Sequence, residues 1–186
     1  MTTDNFSEEP GIGGVFDAKD AYRERVLAEA LRRSLLPDPD VADMWRSIGV
    51  GGPPFPKHWC GAFALSTLRT VLSSCGINWR VGFGFAEQHL PRTLSPRPGD
   101  VVIYERNWHH ALVRRVTGAG LDPHEIETID GNQGRGGAVV GPGIFAIRTR
   151  AREAAFAYYS IEKLLDAQVE ADAAMAYATT NEETEA

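Results

Sequence analysis

The spacing of apolar residues changes from helical to extended part-way along the chain, and no other feature of the sequence restricts the fold as much. Apolar side chains recur every three or four residues over about 17–36 and 58–74, which predicts two helices. Asp17 is the predicted N-cap of the first helix, and Pro37 is expected to end it. Four apolar runs separated by glycine-containing turns then predict strands, at 101–104, 109–116, 125–129 and 144–149.

Helical spacing returns from Ala151, so the chain runs from two helices through a set of strands to a last helix. That order predicts an α+β fold with an antiparallel sheet. With 186 residues the chain has room for one ordinary domain. We divide it into a mobile lead-in over 1–16, a domain over 17–150, a C-terminal helix over 151–177 and a disordered acidic tail over 178–186.

Composition and charge disfavour several classes of protein. Hydrophobic residues make up 43% and charged residues 24%, as in soluble globular proteins. No run approaches the roughly 18 apolar residues that a spanning helix needs, so no membrane insertion is expected. The net charge of −6 resides in the segment from Glu162 onward, where seven carboxylates stand against Lys163 alone. A neutral body with an acidic end argues against nucleic acid, whose phosphates require a basic surface.

The two cysteines are expected to play different parts. On one continuous helix Cys60 and Cys75 would lie about 22 Å apart, too far to form a disulfide or to share a metal ion. Cys75 is then a small buried hydrophobe. Cys60 falls in the first turn of the predicted helix, where free backbone N–H groups and the helix dipole favour a thiolate. The alternative is a buried free cysteine packed under the preceding loop.

Two adjacent histidines offer a proton-transfer partner for that thiol. Successive side chains of a strand point to opposite faces, so His109 shares a face with Ala111 and Val113, and His110 with Leu112 and Arg114. Because the face with Arg114 is expected to be the wetter one, His109 is the preferred partner of Cys60. The same alternation separates the two rings, which disfavours a metal pair. No HExxH or CxxC motif is present, and no metal or other cofactor is expected.

The third predicted strand supplies an orienting group for the histidine. Asp130 ends this strand, and Asn132 follows two residues later. A carboxylate or amide oxygen beside His109 would accept its second ring N–H and select the tautomer needed for proton exchange. Taken alone, the stretch 130–134 is better explained as a simple turn, and only its combination with the thiol and imidazole points to a site.

In their order along the chain these motifs resemble the CHAP family of cysteine, histidine-dependent amidohydrolases and peptidases. The resemblance covers about 57–150 and rests on four sequence motifs: WCGAF at 59–63, PGDVV at 98–102, HHALV at 109–113 and IDGNQ at 129–133. It implies a papain-like fold related to NlpC-like wall peptidases, in which the nucleophile helix packs on an antiparallel sheet of about four to six strands. The helices predicted at the two ends of the chain would be additions to that fold.

The resemblance implies that Cys60 is the nucleophile, that His109 is the base and later the acid, and that Asp130 or Asn132 orients it. The family cleaves amide bonds of peptidoglycan and includes phage lysins and secreted bacterial effectors. The backbone N–H of Cys60 is the expected first oxyanion donor, and His58 or a residue of the 49–57 loop is the candidate second donor. Trp59 and Trp108 are candidate substrate contacts, with core packing an equally good explanation for each.

Two alternatives to a wall hydrolase remain. One is a non-catalytic scaffold on the same core, in which the 151–177 helix docks a protein partner. The other keeps the thiol chemistry but acts on a non-wall isopeptide or γ-glutamyl amide. The first residues, MTTDNFSEEP, lack the basic and apolar regions of a Sec signal peptide. Synthesis in the cytoplasm is therefore expected, and the final destination, in a virion or at the cell wall, stays open.

Overall fold

Within the described residues, six strands form one antiparallel sheet, and helices lie on one side of it. The computed structural model describes residues 17–36, 40–51, 59–78, 85–104, 109–118, 120–132 and 145–184, with the backbone alone for 181–184. The strands are β1 (Arg92–Thr93), β2 (Val101–Tyr104), β3 (His109–Arg115), β4 (Glu125–Asp130), β5 (Ala146–Ala151) and β6 (Ala155–Tyr159). Their spatial order is β1-β6-β2-β3-β4-β5, and every neighbouring pair is antiparallel.

Five α-helices are present in the described residues: α1 (Ala18–Ser34), α2 (Val41–Ser47), α3 (Cys60–Val71), α4 (Phe85–His89) and α5 (Glu162–Thr184). The predicted α+β class with an antiparallel sheet is therefore confirmed. Asp17 caps α1 as predicted, since its carboxylate accepts a hydrogen bond from the Lys19 backbone N–H at 3.0 Å. The predicted lead-in over 1–16 lies outside the described residues.

The prediction of a helix from Ala151 is wrong up to Ser160. The chain instead completes β5, makes a 3₁₀ turn over Arg152–Ala154 and enters β6. β6 lies between β1 and β2, so residues beyond 150 are part of the sheet rather than an appendage. The prediction of disorder from 178 is also wrong in part, because α5 continues to Thr184. No helix of the described chain is long and apolar enough to cross a bilayer.

Helix α3 is the centre of the main core. Its residues from Cys60 to Leu68 are all buried, because α1 and α2 cover it on one side and β3 contacts it on the other. The sheet face toward α3 contributes side chains such as Ile103, Leu112 and Ile129. The opposite face carries a smaller apolar cluster of Val102, Ala111, Val113 and Ile126. Successive residues of β3 and β4 point to opposite faces of the sheet, and this alternation decides on which face each candidate site residue lies.

A buried ion pair fixes the terminal helices to the turn before β2. Asp100 is 1% exposed and accepts hydrogen bonds from Arg23 of α1 at 2.9 Å and from the Ile161 backbone N–H at 3.1 Å. Arg23 also donates to Glu162 at the start of α5, at 2.8 Å. Gly99 has φ +89°, a left-handed conformation that glycine adopts without strain, and this turns the chain into β2. The carboxylate of the PGD motif is therefore a structural junction.

Candidate active site

Cys60 is the first residue of α3, as its predicted place in the first turn requires. Trp59 occupies the N-cap position, and no side chain within the described residues caps this helix end. The start of a helix is the positive end of its dipole, which favours a thiolate at Cys60. Cys60 itself is 9% exposed. Both cysteines are free thiols, as expected from their separation along the chain.

The Cys60 thiol hydrogen-bonds to both histidines of β3. Burial by itself raises the pKa of this thiol, but hydrogen bonds to His109 and His110, together with their charges, outweigh that effect and lower it to about 5. Burial raises the pKa of Cys75, which has no imidazole partner among the causes of its shift. The two thiols thus differ in their electrostatic surroundings in the direction that the sequence predicted.

The two histidines lie on the alternate faces of β3 that the sequence predicts, but the prediction that the His109 face is the one toward α3 is wrong. His109 shares its face with Ala111 and Val113, which belong to the cluster on the far side of the sheet from α3. His110 lies on the α3 side, where it is 2% exposed and stacks on Phe85 with 5.4 Å between ring centroids. His109 still reaches the thiol because it is the first residue of β3, at the end of the sheet. The expected divergence of the rings does not keep either of them from Cys60.

Asp130 binds the other side of the His109 ring. Its Oδ2 lies 3.0 Å from His109 Nε2, and the carboxylate is completely buried. Because a carboxylate only accepts, Nε2 carries the proton in this pair and Nδ1 is the ring nitrogen left for the thiol. Burial alone would lower the pKa of His109, but hydrogen bonds to Asp130 and Cys60 raise it to about 9. The thiolate and imidazolium forms are therefore favoured together.

Asp130 also contacts two residues that the sequence did not single out. Thr128 Oγ1 donates to Asp130 Oδ1 at 2.6 Å, and the Arg150 guanidinium from β5 donates to both carboxylate oxygens, at 3.1 Å to Oδ1. Burial tends to raise the pKa of Asp130, yet hydrogen bonds from His109 and Arg150 bring it below its ordinary value. No sequence motif marks Arg150, since its place depends on how β5 pairs with β4.

Gly131 allows β4 to end directly against the start of α3. A Cβ at this position would lie 2.7 Å from a ring carbon of Trp59 and 2.9 Å from Phe63. These separations are below any normal contact, so only glycine fits without a shift of its neighbours. The close approach brings the end of β4 to the helix that begins with Cys60. The glycine of the predicted IDGNQ motif thus has a steric reason.

Asn132 follows in a left-handed conformation with φ +61° and is half-buried. This conformation is one that asparagine tolerates better than most residues. His109 Nε2 forms its hydrogen bond with the Asp130 carboxylate. Of the two candidates left open by the sequence, the geometry therefore favours Asp130 as the group that orients the ring.

The remaining candidates divide between the core and the undescribed chain. Trp59 is 2% exposed and packs edge-on against Phe145, with 5.2 Å between ring centroids. His58 and Trp108 lie outside the described residues. Within the described ranges, no group of three or more His, Cys, Asp or Glu side chains is arranged to hold a metal ion.

Comparisons with family models, with curated proteins and with solved structures find no match to this chain. Interpretation of the site therefore depends on its own geometry and on the motifs in the sequence.

Proposed function

We propose that this chain is a cysteine amidohydrolase or peptidase of the CHAP type, with a papain-like fold, that cleaves an amide bond of peptidoglycan. The observation that carries the proposal is the hydrogen-bonded series from the Cys60 thiol through the His109 ring to the buried Asp130 carboxylate. A thiolate nucleophile, an imidazole that exchanges protons with it and a group that orients the imidazole are what acyl transfer through a cysteine requires.

The chemistry would proceed in two steps. In the first, the Cys60 thiolate attacks the scissile carbonyl carbon, and the His109 imidazolium transfers its proton to the nitrogen of the departing amine. The C–N bond breaks, the free amine leaves, and an acyl-thioester remains on Cys60. In the second, neutral His109 takes a proton from water, whose oxygen attacks the thioester. The acid is released, and the thiolate and imidazolium forms return.

The oxyanion of each tetrahedral intermediate needs hydrogen-bond donors that are already in place. The Cys60 backbone N–H lies at the first residue of α3, at the positive end of the helix dipole, which suits it to this role. His58 remains the proposed second donor. Asp130 would hold the ring and stabilise the imidazolium without taking its proton, consistent with the lowered pKa of its carboxyl group.

Peptidoglycan is proposed as the substrate because of the motifs around these residues. The site cysteine stands in WCGAF, the histidine in HHALV and the carboxylate in IDGNQ, in the order found in the CHAP family. Further support comes from the local structure: the cysteine begins a buried helix, and the histidine and carboxylate lie on neighbouring antiparallel strands.

The test is digestion of purified sacculi with the wild-type chain and with Cys60→Ala, followed by mass spectrometry of the released fragments. Cys75→Ala is the matched control, because it removes the other buried thiol and leaves the site intact. We expect soluble muropeptides from the wild type and the control alone, and the new amine identifies the bond. Equal release by Cys60→Ala would refute the proposal.

If no protein releases fragments, reaction with iodoacetamide at about pH 5.5, where a thiol of ordinary pKa is almost wholly protonated, separates the alternatives. Selective alkylation of Cys60 over Cys75 would indicate a thiol hydrolase that acts on another amide. An inert Cys60 would indicate a scaffold without catalytic activity. Either result would overturn the wall substrate, and the second would also overturn the enzyme.

A further inference from the structure

Building on the proposed hydrolase, we infer that Arg150 is a positioning residue whose charge keeps Asp130 compensated when His109 gives up its proton. Arg150 has no counterpart in the sequence motifs that mark the other site residues. Its charge is expected to make the neutral form of His109 accessible during the reaction.

The guanidinium of Arg150 is held in a defined place by three neighbours. It donates to both oxygens of Asp130 and, at 2.7 Å, to Thr128 Oγ1. Its Cζ lies 4.5 Å from the centroid of the Tyr104 ring, a cation–π contact. The backbone of Arg150 pairs with Ile126, so the side chain runs along β4 past Thr128 to reach Asp130. This arrangement is specific, since the adjacent Arg148 on the same face is exposed.

A buried carboxylate with two cationic partners keeps one of them when the other loses its charge. Asp130 is completely buried, so its charge needs a partner at every stage of the reaction. His109 supplies a positive charge only while it is protonated. When it transfers its proton to the departing amine, the guanidinium remains, because arginine stays charged at any pH that a protein experiences. Without Arg150, the transfer would leave an uncompensated buried charge, and the imidazolium would hold its proton more strongly.

Other titratable groups also lie around His109. Cys60 of α3 favours the imidazolium when it is a thiolate. Tyr104 of β2 stacks near His109 at 6.4 Å between centroids, and burial raises its pKa to about 12, so it stays neutral over the working range. His110 on β3 hydrogen-bonds to Cys60 from the opposite face of the strand. Among these described groups, Arg150 alone is a permanent cation in contact with Asp130.

The test is an NMR titration of the His109 ring in the folded chain, which needs no substrate. Arg150→Gln removes the charge but keeps an amide donor, and we expect it to raise the pKa of His109 by about one unit or more. Arg150→Lys keeps the charge but loses the two-oxygen contact with Asp130, so we expect its His109 pKa to lie between those of the wild type and Arg150→Gln. Arg148→Gln is the matched control, because it removes an exposed arginine from the same face of β5.

An unchanged or lowered pKa of His109 in folded Arg150→Gln would overturn the inference, since Asp130 would then not depend on this charge. If Arg150→Gln does not fold, an unchanged or lowered pKa of His109 in Arg150→Lys would overturn it instead. The titration can fail while sacculi are still digested, and it can succeed on a chain that digests none. Failure of this inference is therefore distinguishable from failure of the proposed function.

Discussion

Replacing His109 with asparagine should return the pKa of the Cys60 thiol to its ordinary value or above. In the wild type, hydrogen bonds to two imidazoles outweigh burial and lower the pKa of the thiol to about 5, from an ordinary value of 9.0. His109 is the larger of the two opposing contributions. Without it, burial is expected to dominate, and we expect the pKa of Cys60 to rise to about 9 or above. The variant should remain folded, because His109 begins a strand and is not part of the main core.

The effect of His109→Asn on the reaction rate of the Cys60 thiol depends strongly on the pH of the measurement. At pH 5.5, a thiol with a pKa of about 5 is roughly three-quarters thiolate, whereas one with a pKa of about 9 has a thiolate fraction of about 0.0003. The more basic thiolate is also the better nucleophile, which recovers roughly 60-fold over four pKa units. The variant should therefore react roughly 40-fold more slowly at pH 5.5 and at a similar rate at pH 7.

The assay is the rate of reaction with 4,4′-dithiodipyridine between pH 4 and 9 (about one reading per half unit), made in a Cys75→Ala background so that one thiol reports. The wild-type rate should reach its plateau above about pH 6, and the His109→Asn rate should still be rising at pH 8. His110→Asn is the matched control, which removes the smaller contribution and should move the midpoint less. The reasoning is refuted if the wild type and His109→Asn share one midpoint, because the imidazole would then not stabilise the thiolate.

Three further results are expected. The pH profile of kcat/KM on sacculi should be bell-shaped. It should rise near pH 5 as the thiolate forms and fall near pH 9 as the imidazolium loses the proton that the departing amine needs. A profile that only rises, with no fall at high pH, would contradict the proposed acid role of His109. Gly131→Ala should lower the free energy of unfolding by about 1–3 kcal/mol in urea denaturation, because its methyl group would overlap Trp59 and Phe63. An unchanged midpoint would show that these two side chains move aside at no cost. Arg23→Met should lower the free energy of unfolding by about 3–5 kcal/mol in the same assay, because the Asp100 carboxylate would be buried without its cation. A loss below about 1 kcal/mol would contradict the role of Asp100 as a structural junction.

Long amphipathic or apolar segments could be predicted from the sequence because their periodicity is local. The helices α1 and α3 and the strands β2 to β5 all appear within a few residues of their expected bounds. The strand β6 could not be predicted in this way. Its residues Tyr158 and Tyr159 continue into Ile161 with a spacing that also fits a helix, and its pairing with β2 is decided by contacts far apart in the sequence.

The prediction that the Arg114 face of β3 is the wetter one is wrong, because a charged residue at the end of a strand does not mark the solvent side. Arg114 shares parity with Leu112, which is completely buried against α3. The charge is accommodated because Arg114 lies near the end of the strand and pairs with Glu127 of β4. A register irregularity between Val113 and Arg115 also interrupts the alternation at this point. Polarity at a strand end is therefore a weak guide to which face of the sheet is buried.

The sequence predicted the types of residue in the site better than the charge state of the site. Cys60, His109 and Asp130 are separated by long stretches of chain, yet each carries a local signal, and the structure brings them together. Arg150 carries no such signal, because its contact with Asp130 follows from the register of β5 and from the length of its own side chain. A buried carboxylate that orients a histidine must be balanced in both protonation states of the ring. The residue that supplies this balance can lie on any neighbouring strand, so only the assembled sheet identifies it.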